Sequence, residues 1–410
     1  MPGAAQRGTL PLPARVAQLD RASVFGTDGW GFESLRARLL HPASRACIEA
    51  VERAHAATPE RDLAKAVSRL SDLYTTGRDA LAREQADASH LAAKREYFLA
   101  SDAPKIVLAL DECAARSDAF AALARAERVR VVDLGAGVGA TSVGFLAWLA
   151  ARGAASVELH AVELGEPAAR AYEASVRAAA DAAGIRVAIM IEARDFRRFT
   201  PPACDLILCQ TALNELLVGA EHARETVQMA ANWARAAPFL VVEPALRPTT
   251  RALMALRDAL LSLGGMHVVA PCLHQNACPM RAKEGEWCHE ARRIERTPRV
   301  SAVDAIVGRR DGRALFSFLA TAPGAAPREF PSSAVRLVTD SLGSRGKTER
   351  LVCRGDGELR LMRLLDRETR DANRAFLDAE RGAVVEIAPL PANDRIGPDA
   401  AVALEDPPRG

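Results

Sequence analysis

The 410-residue chain has no apolar run near the roughly 20 residues that span a bilayer, and no apolar stretch at its N-terminus to act as a secretion signal. The sequence therefore predicts a cytoplasmic protein with no membrane partner. Net charge is only +2, so whole-chain electrostatics supply no attraction for nucleic acid, and any RNA contact needs local basic patches. Eight cysteines without a secretion signal argue against a disulfide framework and for metal binding or buried thiols. Internal repeats are absent. What remains is ordinary: 49% apolar and 26% charged residues, as in a soluble globular protein, in a chain long enough for two or three domains. Nothing specifies an oligomer, and a monomer is expected.

Residues 1–43 do not read as the start of a domain. Val16-Ala-Gln-Leu-Asp-Arg-Ala-Ser23 back-translates to the D-arm of a transfer RNA gene, and Gly29-Trp-Gly-Phe-Glu-Ser34 to the T-arm, in the right order. The expectation is a spurious or disordered extension from a start assigned upstream of the true one.

Residues 44–126 are rich in Ala, Arg, Glu and Leu and read as several helices, with a break at Asp102-Ala-Pro104 and a distinctive segment at Arg95-Glu-Tyr-Phe-Leu-Ala-Ser-Asp102. Strand and helix signals then alternate through residue 270: Val129–Leu134, Ser156–Glu163, Arg186–Ile191, Leu206–Cys209 and Phe239–Glu243 as strands, with helices between them. Such alternation predicts a parallel, doubly wound α/β sheet. Residues 271–300 are rich in cysteine, proline and basic residues. Residues 301–390 carry short strand-like runs and predict a small β-rich domain; the proline-containing 391–410 predicts a disordered tail.

Asp133-Leu-Gly-Ala-Gly-Val-Gly139 follows a strand and opens a helix. Its glycines Gly135, Gly137 and Gly139 permit a tight turn and close backbone approach to a ligand, with Ala136 in the same loop. Glu163 ends the next strand, where a carboxylate can accept both ribose hydroxyls of an adenosine ligand. Asp195 follows the third strand, placed for an adenine amino group. The loop resembles motif I of class I methyltransferases, which implies S-adenosylmethionine, with a nicotinamide or flavin nucleotide and an empty relic fold as rivals. The Asn/Asp-Pro-Pro-aromatic signature of an amino-methylating base site is absent. After the fourth strand, Asn214 or Glu215 could face the methyl group; alternatively Thr211 is a helix N-cap with Asn and Glu in the first turn. Cys204 and Cys209 read as core thiols.

Cys272, Cys278 and Cys288 are spaced Cys-x5-Cys-x9-Cys, with Cys353 alone on a strand-like run. Metal binding would hold together a segment with so little apolar content. Neither spacing among the three is that of a zinc knuckle, and four thiolates from irregular loops suit an iron–sulfur cluster. His274 and His289 are rival ligands that would favour zinc. Unliganded core thiols are the bland alternative, and Cys47 and Cys113 read as spectators in helices.

These motifs together resemble the methyltransferase-like family of mitochondrial small-ribosomal-subunit assembly proteins and their bacterial relatives. The resemblance rests on the glycine loop, Asn214-Glu215-Leu216, Val241-Val-Glu243-Pro244, Val268-Val-Ala-Pro-Cys272-x-His274, Cys278-Pro279, Trp287-Cys288-His289, Arg292-Arg293 and Phe316-Ser317-Phe318. It covers roughly residues 45–365. It implies a Rossmann-like class I methyltransferase sheet, a 4Fe-4S cluster on Cys272, Cys278, Cys288 and Cys353, and binding to the small ribosomal subunit and its rRNA. In that family methylation is poorly supported. This chain departs at Thr141-Ser142, where relatives carry an aromatic, and at Glu290-Ala291.

Arg292, Arg293, Arg296, Arg299, Arg309, Arg310 and Arg313 are either a phosphate-contacting cluster or a solvated face. Few aromatics interleave them, so base stacking is not indicated. Three functions compete: a ribosome-associated factor carrying both cofactors, an active methyltransferase on rRNA or another substrate, and a zinc-binding methyltransferase fold without a ribosomal role. A radical enzyme joining S-adenosylmethionine to a cluster is a poor fit, since such enzymes typically need Cys-x3-Cys-x2-Cys on a barrel and neither is present.

Overall fold

The computed structural model describes residues 40–76, 88–217, 223–309 and 312–405. The proposed extension 1–43 falls almost wholly outside these. Helix α1 (Pro42–His55) begins at once, with His41 accepting a hydrogen bond from the Ala43 amide.

The central sheet has eight strands. Its main path runs β3 (Arg186–Glu192), β2 (Ser156–Val162), β1 (Arg128–Leu134), β4 (Leu206–Gln210), β5 (Phe239–Pro244), β8 (Arg313–Ala322) and β6 (His267–Ala270). Strands β1 to β5 are parallel; β8 is antiparallel to both β5 and β6. This is a mixed, Rossmann-like α/β sheet. Strand β8 lies within the stretch expected to belong to the C-terminal β domain. Phe316, Phe318 and Ala320 explain its position: they are buried in the main core rather than in a separate one.

The helices from 44 to 126 cover one face. After α2 (Glu60–Thr76), α3 (Ala88–Ala93) passes through a π-helical turn, Lys94–Phe98, into α4 (Leu99–Arg116) and then α5 (Asp118–Leu123). The break expected at Asp102–Pro104 does not occur. Pro104 lies inside α4, and the irregularity sits upstream in the π turn. Helix α4 packs on α6 (Ala140–Ala150), every residue of which from Thr141 to Leu149 is buried, because α6 lies between the sheet and the helical layer. Gly144 makes this approach possible: a Cβ there would stand 2.5 Å from the Ala103 carbonyl oxygen. Helix α7 (Glu166–Ala183) buries Ala169, Tyr172, Val176 and Ala180, a stripe at helical spacing, and ends on Gly184 at φ +66°.

Following β4 are α8 (Asn214–Leu217) and α9 (Ala223–Ala236); α10 (Arg247–Leu263) follows β5. Strand β7 (Glu290–Arg293) pairs with β8 through Arg313–Phe316, while β6 pairs with Ala320–Ala322 of the same strand. Residues 271–289 are therefore an excursion that leaves the edge of the sheet and returns to it. Helix α11 (Pro298–Val307), capped by Thr297, leads into β8.

A second, seven-stranded sheet comprises β14 (Arg395–Ile396), β12 (Leu359–Leu365), β11 (Lys347–Arg354), β9 (Ala334–Leu337), β13 (Val384–Ala388) and β15 (Ala401–Leu404), with β10 (Leu342–Ser344) on β11. A short helix, α12 (Ala375–Asp378), precedes β13, and Phe376 at its start is fully buried in this sheet's core. The expected tail from 391 is corrected here: residues 395–404 form β14 and β15, because Ile396, Ala400 and Val402 are buried in the same core. Among the described residues no helix is long and apolar enough to cross a membrane.

Candidate functional site

Two sites emerge. The first lies where β1 meets α6. The Gly135 and Ala136 amides both donate to the Val162 carbonyl, pinning the loop to the end of β2. Gly135, Gly137 and Gly139 have φ of +66°, +53° and +100°, which only glycine adopts without strain. Gly135 is also sterically closed, since a Cβ would stand 2.5 Å from the Ala212 Cβ. Glu163 accepts from the Gly137 amide at 2.8 Å and the Gly165 amide at 2.8 Å, so the carboxylate is fixed beside the loop.

Asp133 is fully buried. One oxygen accepts from Ser142 Oγ at 2.6 Å, and Ser142 in turn meets the Tyr172 hydroxyl at 2.7 Å. The other oxygen, Oδ1, has no protein partner. Burial, opposed by the Ser142 hydrogen bond, pushes the Asp133 carboxyl up to about 7. Asp195 caps the 3-10 turn Phe196–Arg198, accepting from the Arg197 amide at 2.9 Å and from its guanidinium; that bond holds its carboxyl below the usual range.

Asn214 is not free for a reacting group. Its amide N–H and side-chain Nδ2 both donate to Glu243, at 2.9 and 2.6 Å, and both residues are buried. Burial raises the Glu243 carboxyl to about 8. Thr211 does not cap the helix: it takes φ +55°, and its amide donates to the Val242 carbonyl. Glu215 is exposed, and its charge acts on two residues from the helical layer, Lys94 and Tyr74. The Lys94 side chain, on the π turn, makes no hydrogen bond or ion pair among the described residues; burial lowers its ammonium, while Glu163 and Glu215 hold it up. Sequence reasoning missed Lys94 and Tyr74, although it marked the adjoining segment from Arg95 as distinctive. A π turn in a helix is a common mark of a functional site.

The second site is the cysteine centre. Cys272, Cys278 and Cys288 lie on the excursion between β6 and β7, and Cys353 comes from β11. All four line one cavity with His274, Met280 and Arg336. Burial pushes the Cys278 thiol up to about 11 and Cys288 to about 12, and raises Cys353 further; the charge of Cys272 adds to each. His274 Nε2 lies 3.5 Å from Cys353 Sγ, and burial lowers its ring to about 4. His289 stacks on Trp287, with its ring lowered to about 3 by burial. The Nδ1 atoms of both rings are buried without partners. Among the described residues no three histidine, cysteine or carboxylate side chains are already gathered at the spacing of one metal ion. The donor chemistry still fits a metal or cluster: four thiols and one imidazole share the cavity. Cys47, Cys113 and Cys209 are buried elsewhere, and Cys204 is partly so.

The sequence profile of the family described as mitochondrial small ribosomal subunit Rsm22 matches residues 65–380. The chain belongs to the Rsm22 family. No curated protein sequence matches it significantly. Solved structures similar to it include an S-adenosylmethionine-dependent O-methyltransferase from Thermotoga maritima, at 14% identity and TM-score 0.27, covering 49% of this chain and 61% of that one. The glycopeptide N-methyltransferase MtfA complexed with sinefungin is 20% identical at TM-score 0.22, covering 31% and 48%. YjhP from E. coli is 14% identical at TM-score 0.27, covering 51% and 93%. The chain thus spans less than two thirds of the first two.

In this Rsm22-family chain most of the described arginines after the cysteines are engaged within the fold. Arg292 is buried against Glu290; Arg299 donates to Glu96 and to the Thr58 carbonyl; Arg309 donates to the Tyr97 hydroxyl and Ser71; Arg313 pairs with Asp340. Arg296 donates to the Arg313 carbonyl, and Arg293 is half-buried. Arg299 and Arg309 bind the helical layer to the core, and Arg313 ties the start of β8 to Asp340, next to the second sheet. Arg310 lies outside the described residues.

Proposed function

We propose that the protein binds S-adenosylmethionine at Asp133–Gly139, holds a metal or 4Fe-4S centre on Cys272, Cys278, Cys288 and Cys353, and acts on or assembles the small ribosomal subunit through contact with its rRNA. The observation that carries this reading is the coexistence, in an Rsm22-family chain, of a glycine loop clamped to Glu163 and a cavity lined by four cysteines.

The residues present suit the nucleoside ligand. The loop needs positive φ three times, Glu163 retains acceptor capacity for ribose hydroxyls, and Asp133 Oδ1 is buried and unpartnered. Lys94 is available to the carboxylate at the methionine end. S-adenosylmethionine supplies an electrophilic methyl group when bound. Among the described residues no side chain beside the loop is arranged as a general base: Asn214 is bonded to Glu243, whose carboxyl burial raises to about 8. Methyl transfer needs in-line positioning more than proton removal, so that arrangement supports a binding role foremost and leaves transfer to an intrinsically nucleophilic acceptor. At the second site the thiols would hold the metal or cluster, with His274 and His289 as substitutes in the zinc form.

The test has three parts: S-adenosylmethionine titration by calorimetry, iron, zinc and sulfide analysis after anaerobic purification, and low-salt pull-down with rRNA sequencing. Micromolar binding, a stoichiometric metal and enrichment of small-subunit rRNA are expected. Equal recovery of both subunits' rRNA would defeat the ribosomal reading. Zinc without iron would replace the cluster by a zinc site.

A further inference from the structure

The cysteine cavity is walled by buried guanidiniums. Arg336, 2% exposed, stands opposite Cys353 in the register of β9 and β11, so both side chains leave the same face of the second sheet. It donates to the Pro271 carbonyl at 2.9 Å, to both oxygens of Glu112 on α4, and to Glu290 at 2.6 Å. Arg116, near the end of α4, donates to the Cys272 carbonyl at 2.5 Å. Arg257, on α10, donates to the His274 and Asn276 carbonyls at 2.7 and 2.5 Å.

Each carboxylate in this shell faces two guanidiniums. Glu112 meets Arg336 and the field of Arg116; Asp258 meets Arg257 and Arg281; Glu290 meets Arg336 and Arg292. Arg281 is partly exposed; the four buried guanidiniums Arg336, Arg116, Arg257 and Arg292 answer three carboxylates, and positive charge is left over in a buried region. Buried charge without a counter-ion is costly. Neutral thiols supply no counter-charge, whereas four thiolates around Zn2+ or an oxidised four-iron cluster form a group of net negative charge.

We propose that Arg336, with Arg116 and Arg257 beside it, is the fixed counter-charge of the four-cysteine centre, a positioning residue that holds an anionic thiolate group against α4. This rests on the reading that the cysteines bind a metal or cluster. Arg336 is the keystone because one planar fork reaches the excursion, α4 and β7 together while lying beside Cys353 on the neighbouring strand.

The experiment uses the full chain, purified anaerobically and loaded either with Fe2+ and sulfide or with Zn2+. Wild type, Arg336→Gln, Arg336→Lys, Arg116→Gln and Cys288→Ser are compared for folding by circular dichroism, metal release to EDTA, and, when iron-loaded, reduction potential. Arg336→Gln should release metal at least tenfold faster and have a more negative potential, because removing a nearby positive charge favours the oxidised centre. Arg336→Lys should restore the potential in part but not the slow release, since it lacks the fork. Arg116→Gln, the milder change, should shift both readouts in the same direction and serves if Arg336→Gln does not fold. Folded Arg336→Gln and Arg116→Gln proteins with wild-type release and potential would overturn the proposal, while metal loss in Cys288→Ser would leave the metal reading standing. Failure of wild type to take up either metal would remove the reading and the proposal together.

Discussion

Asn214 and Glu243 form a closed pair: the Asn214 amide donates to one carboxyl oxygen of Glu243 and its side-chain nitrogen to the other, and both residues are buried. The pair ties the first turn of α8 to the end of β5. It also turns a residue that looked chemically promising in the sequence into an anchor.

Glu243 makes stability depend on pH. Its folded carboxyl sits near 8 against an ordinary 4.5, and Asp133 sits near 7 against 3.8, both chiefly through burial. A raised pKa means that the folded state holds the proton more tightly. The contribution is complete below the ordinary values and is lost as pH rises through the folded ones. Thermal denaturation at constant ionic strength should show a falling midpoint from pH 7 to pH 9, above the range in which the buried histidines, whose rings are lowered, act in the opposite direction; the fall is worth on the order of 1–2 kcal/mol. Glu243→Gln should flatten part of that slope. A midpoint that rises over this range would contradict the assignment.

Gly135→Ala forces a side chain into a left-handed backbone and against Ala212. Calorimetry should record at least a tenfold weaker affinity for S-adenosylmethionine, with a stability cost of roughly 1–3 kcal/mol. Gly137→Ala meets nothing nearer than 3.9 Å and should be milder in stability. Equal and small effects on ligand affinity would argue that the loop is not a ligand cradle.

Gly144→Ala tests packing rather than ligand contact. The new methyl group would stand 2.5 Å from the Ala103 oxygen and 2.7 Å from Ile106 Cβ, so α4 must move off α6. Overpacking of this kind costs roughly 1–3 kcal/mol. Urea denaturation should show the midpoint shift with little change in slope.

Cys278→Ser should abolish stoichiometric metal and lower the thermal midpoint of the metal-loaded protein, whereas Cys47→Ser should leave metal content unchanged. Cys47 is buried in α1, away from the cavity, and its thiol donates to the Ala43 carbonyl. Elemental analysis reads the difference directly.

The parts of the site that were legible in the sequence are local ones. The glycine loop announces itself because strand, turn and helix are consecutive, and Glu163 because it ends the next strand. The cysteines stood out by residue type, and the structure adds that Cys353 reaches the others from another sheet. What was hidden depends on partners far along the chain. Arg299 read as either a phosphate contact or a solvated residue, and instead pairs with Glu96, some two hundred residues earlier. Lys94 and Tyr74 belong to helices whose docking no local pattern encodes. Strand β8 read as part of a C-terminal domain because its pairing with β5 spans more than seventy residues. The strands after 391 were masked by prolines, although Ile396 and Val402 carry the burial that orders them.

Helix α4 gives the molecule a ruler. At one end the Asp102 carbonyl accepts from Gln210, which also meets Thr141 just past the glycine loop; at the other, Glu112 and Arg116 grip the cysteine segment. Eighteen helical residues span about 27 Å at about 1.5 Å each. Substitutions along the helix can be absorbed, but one inserted residue would swing the far end by about 100° and take Glu112 out of reach of Arg336. The spacing between the two sites is therefore set by a count of residues, and that count cannot drift.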